Sequence, residues 1–147
     1  MAVIVLVVVA GVSGLTFYLW PTFVGDELLV VSPQTMLALT RLRAEPKFVP
    51  DPSSFYPGAP NENMRLSAQR SVDGLLDALC ADLPKHPKRS LVLAKFKEAM
   101  ASFSTAESEE RDQFLVYLQR IMKALGMQSS GELLNVWRYG FPYGWFI

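Results

Sequence analysis

No charged side chain precedes Asp26 in this chain of 147 residues. The stretch up to Gly25 reads MAVIVLVVVAGVSGLTFYLWPTFVG. As a helix, Met1 to Trp20 would extend roughly 30 Å, the thickness of a bilayer hydrocarbon core. In water it would leave a large apolar surface uncovered. Three readings compete for it. A cleavable signal peptide requires a positive leading region, and no Lys or Arg precedes the run. A cut near Ser13–Gly14 would also leave Leu-Thr-Phe-Tyr-Leu-Trp as a greasy new terminus. A buried strand over Val3 to Val9 suits the β-branched bias, but strands usually run about 5–6 residues and this run is far longer. A membrane anchor accounts for more. Phe17, Tyr18, Trp20 and Phe23 cluster at one end, where amphipathic rings favour the headgroup layer. Pro21 then ends the helix. The expectation is a single-pass transmembrane helix over residues 1–24, with membrane lipid as its partner.

Orientation follows from the basic residues. None precedes the span, while Arg41, Arg43 and Lys47 come after it, behind the acidic Asp26 and Glu27. The count leans towards a cytoplasmic C-terminal domain, with export of that domain close behind. Met36 and Met64 are alternative starts; a chain beginning at either would lack the anchor.

Beyond the apolar head, the chain is long enough for one compact domain. A formal net charge of zero argues against a general polyanion binder, which needs a basic surplus, so no nucleic-acid partner is expected. The single cysteine, Cys80, cannot form an internal disulfide and carries no information on compartment.

The remainder reads as helices. Ser32-Pro33 is a helix start, a hydroxyl acceptor followed by a residue that lacks the N–H. Met36, Leu37, Leu39 and Leu42 give that helix an apolar side. Pro46, Pro50, Pro52, Pro57 and Pro60 then impose an extended, turning connection, which Phe48, Phe55 and Tyr56 are expected to strap onto the domain. From Asn61 to Leu83, Ala68, Val72, Leu75, Leu76, Leu79 and Leu83 recur at helical steps. Pro84 stops that helix. His86-Pro87 is expected to open the next, with Val92, Phe96, Ala99, Met100 and Phe103 inward. Ser104 with Glu107 fits a capping box, and Glu107, Glu109, Glu110 and Asp112 suit the positive end of the helix dipole. Phe114, Leu118, Ile121, Met122 and Leu125 carry the apolar face to Gly126, a C-terminal stop. Ser129 with Glu132 repeats the capping signal before a short helix through Leu133, Leu134 and Trp137, closed by Gly140. No segment alternates with period two. The expected fold class is therefore all-α, a small antiparallel helical bundle preceded by the anchor. Its parts are the anchor (1–24), a juxtamembrane short helix with the Pro-rich connection (25–60), and the bundle with an aromatic tail (61–147).

Chemistry-bearing constellations are sparse. One histidine, His86, lies within Lys85-His86-Pro87-Lys88-Arg89, a cationic setting that disfavours a charged imidazole. Cys80 beside an apolar face reads as a small core residue. A transition-metal site needs clustered Cys and His, and Glu107 to Asp112 lacks the alternating ligands and central Gly of a calcium loop. No Gly-Lys-Ser/Thr phosphate loop occurs. No catalytic residue, metal or cofactor is expected. Lys85 to Arg89 reads as a solvated turn, with anionic lipid as the other option.

The densest pattern is Leu125-Gly126-Met127-Gln128-Ser129-Ser130-Gly131-Glu132-Leu133-Leu134-Asn135-Val136-Trp137-Arg138-Tyr139-Gly140-Phe141. With Tyr56-Pro57-Gly58 upstream, it resembles an uncharacterised family of small bacterial proteins, a domain-of-unknown-function group that ends in G-x-x-S-S-x-x-L-L-N-x-W-x-Y-G-F. The likeness spans about Arg43 to Phe141. It implies a small helical domain and brings no activity with it. Trp137, Tyr139 and Phe141 alternate, which predicts an extended or turning backbone after Trp137. These rings either plug the open end of the bundle or, with Arg138, form a partner-binding patch, because Trp, Tyr and Arg are favoured at binding hot spots. The tail, Pro142 to Ile147, continues the apolar character. The function expected is a membrane-tethered, non-catalytic interaction or adaptor domain. The alternatives are an immunity- or antitoxin-like inhibitor of an enzyme partner and, behind it, a carboxylate-based enzyme.

Overall fold

The computed structural model describes residues 4–12 and 26–140. Residues 4–12 form helix α1, with exposed side chains. Among the described residues no helix is long and apolar enough to cross a membrane. The rest of the expected anchor, residues 1–3 and 13–24, lies outside the described residues.

From residue 26 onward the described chain is helical, with two isolated β-bridges, Leu28 to Lys88 and Asp51 to Tyr56. The helices are α2 (Pro33–Ala44), α3 (Glu62–Asp82), α4 (Arg89–Ala101), α5 (Ser108–Ala124) and α6 (Leu133–Tyr139). The capping chemistry explains most of their boundaries. Ser32 Oγ accepts the Thr35 N–H at 3.1 Å ahead of Pro33, and Asn61 Oδ1 accepts the Met64 N–H at 3.0 Å; each such cap contributes about 1 kcal/mol. Gly126, at φ 69°, ends α5. There the Met127 N–H returns to the Met122 carbonyl at 2.9 Å, the backbone pattern for which glycine's freedom at positive φ is suited.

Three helix starts differ from the sequence expectation. His86-Pro87 does not open α4, which begins at Arg89 behind Lys88. Its cap comes from a distant part of the chain. Asp26 Oδ1 accepts the Ser90 N–H at 3.0 Å, and the Glu27 carbonyl accepts the Arg89 N–H at 2.9 Å. The Ser104–Glu107 box does not form either. Ser104 Oγ donates back to the Ala101 carbonyl at 3.0 Å, and α5 starts behind Glu107 with no side-chain cap. At α6 the capping hydroxyl is that of Ser130, which accepts the Leu134 N–H at 3.4 Å. Ser129 is used one turn earlier, on Gly131. Glu132 takes a left-handed φ of 68°.

The helices run back and forth. Along α2, Thr40 faces Cys80, Arg43 faces Asp77 and Asp73, and Lys47 beyond it reaches Asp73; one number rises as the other falls, so α2 and α3 are antiparallel. Short turns reverse the chain again at α3–α4 and α4–α5. α2 also lies against α5, α3 against α4 and α5, and α6 against α5. The segment 25–60 is thus more than a connection, because Leu39, Leu42, Phe48 and Tyr56 belong to the same core as the later helices.

Phe48 is at the centre of that core. Its ring meets Tyr56 (6.5 Å), Phe103 (5.7 Å) and Tyr117 (5.1 Å). Phe103 stacks on Phe114 at 4.1 Å, and Phe114 meets Trp137 edge-on at 5.6 Å. The row of rings runs from the proline-rich segment across α5 to α6, so burial of aromatic area ties the irregular segments to the helices. The bundle therefore has two distinct ends. One gathers residues 26–29, the α3–α4 turn and the α5–α6 loop, joined where the Arg89 guanidinium donates to the Ser129 carbonyl at 3.2 Å. The other gathers Phe48, the Asp51–Tyr56 turn, Phe103, the start of α5 and the end of α6.

Candidate functional site

The C-terminal patch expected from sequence comprises Trp137, Arg138, Tyr139 and Phe141. α6 continues through Tyr139, so the backbone does not become extended after Trp137. The amphipathic face of α5 supplies Phe114 as a docking surface, and Leu133 and Leu134 are buried with it. Helical spacing then separates the aromatic residues. Trp137 is half-buried against the core. The Arg111 guanidinium lies over its ring at 4.6 Å and donates to its carbonyl at 2.7 Å. Arg138 makes a two-pronged ion pair with Asp112, with Nη2 to Oδ2 at 2.9 Å. That pairing holds its guanidinium even further above its usual pKa. Its charge also lies over the Tyr139 ring at 5.5 Å. Tyr139 is 60 % exposed, and Phe141 lies outside the described residues. The structure therefore packs Trp137 against the core, pairs Arg138 with Asp112 and leaves the Tyr139 ring largely exposed.

The motif residues before α6 border a surface cleft of about 480 Å³, lined in part by Met122, Lys123, Ser129, Ser130, Leu134 and Asn135. Both hydroxyls there serve backbone N–H groups, and Asn135 donates to Glu132 at 2.8 Å. The motif thus has a local structural use, shaping the entrance to α6.

His86 is exposed in the α3–α4 turn, its N–H bonded to the Asp82 carbonyl at 2.9 Å. Cys80 is half-buried. Burial, and then the charge of Asp77, raises its thiol above the ordinary value, the opposite of what an activated thiolate needs.

Two polar clusters hold buried charge that the sequence reading did not anticipate. In the first, Lys47 is fully buried. Its ammonium meets Asp73 Oδ1 at 2.7 Å and donates to the carbonyls of Glu45 at 2.9 Å and Arg43 at 3.1 Å. Asp73 Oδ2 meets Arg43 at 3.0 Å and accepts from Gln69 at 3.3 Å. Gln69 in turn accepts the Lys47 N–H at 3.2 Å. In the second, Glu110 is 5 % exposed and its Oε2 meets no hydrogen-bond donor. Its carboxylate is one of three, with Glu107 and Glu109, whose oxygens lie within 4.8 Å of one another. The buried Tyr56 hydroxyl also lacks a directed hydrogen bond. Burial first, then the charge of Glu110, pushes that phenol well above its ordinary pKa. Part of this is visible in the sequence. Glu110 stands four residues before Phe114 and seven before Tyr117, on the apolar stripe of α5, and Asp73 sits beside Val72 on that of α3.

Residues 30–142 match the family model described as Domain of unknown function (DUF4844), and the chain belongs to this family. No curated protein and no solved structure matches it.

Proposed function

We propose that this protein is a non-catalytic interaction domain held at a membrane by its N-terminal apolar segment. The observation that carries the reading is the uncharged run from Met1 to Gly25 ahead of a fully packed helical domain. A run of that length and composition is stabilised by lipid and not by water. The non-catalytic part of the reading draws on the engagement of the two charged pairs and the thiol. Lys47 is engaged with Asp73, and Arg138 with Asp112, in structural pairs; the thiol of Cys80 is raised by its burial. Among the described residues of the C-terminal patch, the exposed ring that a partner could meet is Tyr139, beside the guanidinium of Arg138.

Fractionation of cells making the full-length protein tests the tether. It is expected in the membrane pellet, resistant to high salt and released by detergent. Recovery of intact protein in the detergent-free supernatant contradicts it. Protease added to intact spheroplasts then reads the side on which the domain lies. Digestion of the domain indicates export; protection until lysis indicates the cytoplasmic orientation.

A further inference from the structure

Where the uncharged run gives way to the folded domain, the chain turns apolar side chains outward. Residues 26–30 pass antiparallel to residues 87–89. The Leu29 N–H donates to the Pro87 carbonyl at 2.7 Å, the Arg89 N–H donates to the Glu27 carbonyl at 2.9 Å, and Leu28 stands opposite Lys88. In an opposed pair flanked by such bonds the two side chains lie close together on one face, and neighbours along the strand alternate. Leu29 accordingly joins the core, while Leu28 and Val30 are 70 % and 84 % exposed. Lys88 shares the Leu28 face, with its side chain 56 % exposed. Lys85 continues the exposed surface in the α3–α4 turn, and the exposed Leu37 lies near the start of α2 at the same end.

Charge and chain length both say what covers this face. Asp26 is occupied by the Ser90 N–H and by Lys88 at 3.4 Å, and Asp82 pairs with Lys95. Lys85, Lys88 and Arg89 against Asp26 and Glu27 leave a surplus of one positive charge, three minus two. Gly25, the last residue of the uncharged run, is three residues from Leu28, at most about 10 Å of extended chain. That is close to the screening length of about 8 Å at physiological salt, so this end cannot stand clear of a bilayer that holds the run. Leu and Val beside lysines suit the headgroup boundary, with the apolar groups at the acyl chains and the ammonium groups at the phosphates. The opposite end, about 20 Å away along the 13 residues of α4, gathers the Glu107, Glu109 and Glu110 carboxylates, which anionic headgroups repel.

We propose that the end of the bundle formed by residues 26–30 and the α3–α4 turn lies on the bilayer surface, with Leu28 and Val30 at the boundary of headgroups and acyl chains and Lys85 and Lys88 on anionic lipid phosphates. The proposal rests on the membrane-tether reading above and goes beyond it in fixing which end of the domain meets lipid and which lipid it favours.

Spin-label depth measurement tests it with the full-length chain in vesicles of phosphatidylcholine, alone or mixed with phosphatidylglycerol. In a Cys80→Ser background with parental helical circular dichroism, a nitroxide is attached at Leu28→Cys, Val30→Cys or, as the reference at the opposite end, Phe55→Cys. In the anionic vesicles, collision with a neutral water-soluble nickel chelate is expected to be at least fivefold lower at positions 28 and 30 than at 55, and collision with oxygen, which concentrates in lipid, higher. Lys85→Gln with Lys88→Gln is expected to raise chelate access at 28 and 30 at least twofold. So is the unsubstituted turn in about 1 M salt, where the screening length falls to about 3 Å, or in the neutral vesicles. Vesicle-bound protein with equal chelate access at 28, 30 and 55 overturns this proposal alone. Shielding from chelate and oxygen alike, the mark of a protein contact, or shielding indifferent to lipid charge, salt and the lysines, overturns it too. Protein that fails to float with either vesicle overturns the tether reading as well.

Discussion

At Lys47 a fully buried cation meets a carboxylate oxygen at 2.7 Å and two main-chain carbonyls; at Glu110 a nearly buried carboxylate keeps Oε2 without a donor. Both groups lie close to the Phe48 aromatic row, and both bear the desolvation cost of burial. They differ in how that cost is offset. The Lys47 cluster draws its acceptors from α2, α3 and the connection between them, so it fixes how the proline-rich segment joins the bundle. The Glu110 cluster instead brings three carboxylates within 4.8 Å of one another. The first arrangement is suited to holding a fold; the second leaves a buried oxygen unmet.

Substitutions can break this contrast. The largest effect is expected for Lys47→Met, which leaves Asp73 buried without its ammonium. Loss of one member of a buried pair costs about 3–5 kcal/mol. The double variant Lys47→Met with Asp73→Leu should cost less than the sum of the two single changes, because no uncompensated charge remains. Chemical denaturation followed by helical circular dichroism gives all three values.

Phe55→Gly should act in the opposite direction. It releases a residue with a Cβ from the left-handed region, a relief of about 1–2 kcal/mol, and removes no core contact because the side chain is exposed. Glu110→Gln comes next, with a stability change within about 1 kcal/mol of the parent and towards greater stability, since a buried charge with an unmet oxygen is replaced by a neutral group. The same variant should bring the Tyr56 phenol part of the way back towards its ordinary pKa. Burial remains as the larger cause of the elevation, and ultraviolet titration of the tyrosines reads the change.

The smallest effect is a pH dependence of the Asp51 turn. The Ser53 hydroxyl, the Ser53 N–H and the Ser54 hydroxyl hold the Asp51 carboxyl below its ordinary value. A carboxyl lowered by folding contributes stability above its unfolded pKa, about 3.9, and loses it as pH falls through the folded value. The Ser53 amide resonance should therefore be constant at neutral pH and move only below about pH 4. Asp26 behaves in the same sense. Burial raises its carboxyl, but Ser90 and Lys88 together draw it lower, so its capping of α4 should weaken in the same acidic range.

The helical part of the fold is legible because α3 and α5 repeat their apolar residues at helical steps, and because Ser32-Pro33 and Gly126 carry local start and stop chemistry. Proline-rich sequence has no such period. Phe48 and Phe55 lie in the same segment, and both take positive φ, yet one becomes the centre of the core and the other stays in solvent. Only the packing of α5 decides between them, through the Tyr117 hydroxyl that accepts the Phe48 N–H at 3.0 Å. Caps supplied from far away are equally hidden, as with Asp26 on α4. At the candidate site, the sequence left the rings as a plug or a partner-binding patch, and the structure packs Trp137 edge-on against Phe114. The separation of Trp137, Arg138 and Tyr139 into three environments depends on α6 continuing to Tyr139, which the alternating aromatic pattern conceals. Lys47 is invisible as a core residue because its counter-ion is on a different helix, 26 positions later in the chain.

The most direct test is equilibrium denaturation of full-length Lys47→Met and Phe55→Gly in the same detergent, measured side by side. If the Lys47 cluster holds the fold and the Phe55 backbone carries strain that the fold does not need, the first midpoint falls and the second rises. A Phe55→Gly midpoint that falls together with that of Lys47→Met would show that the exposed phenylalanine serves the fold, and would contradict the account.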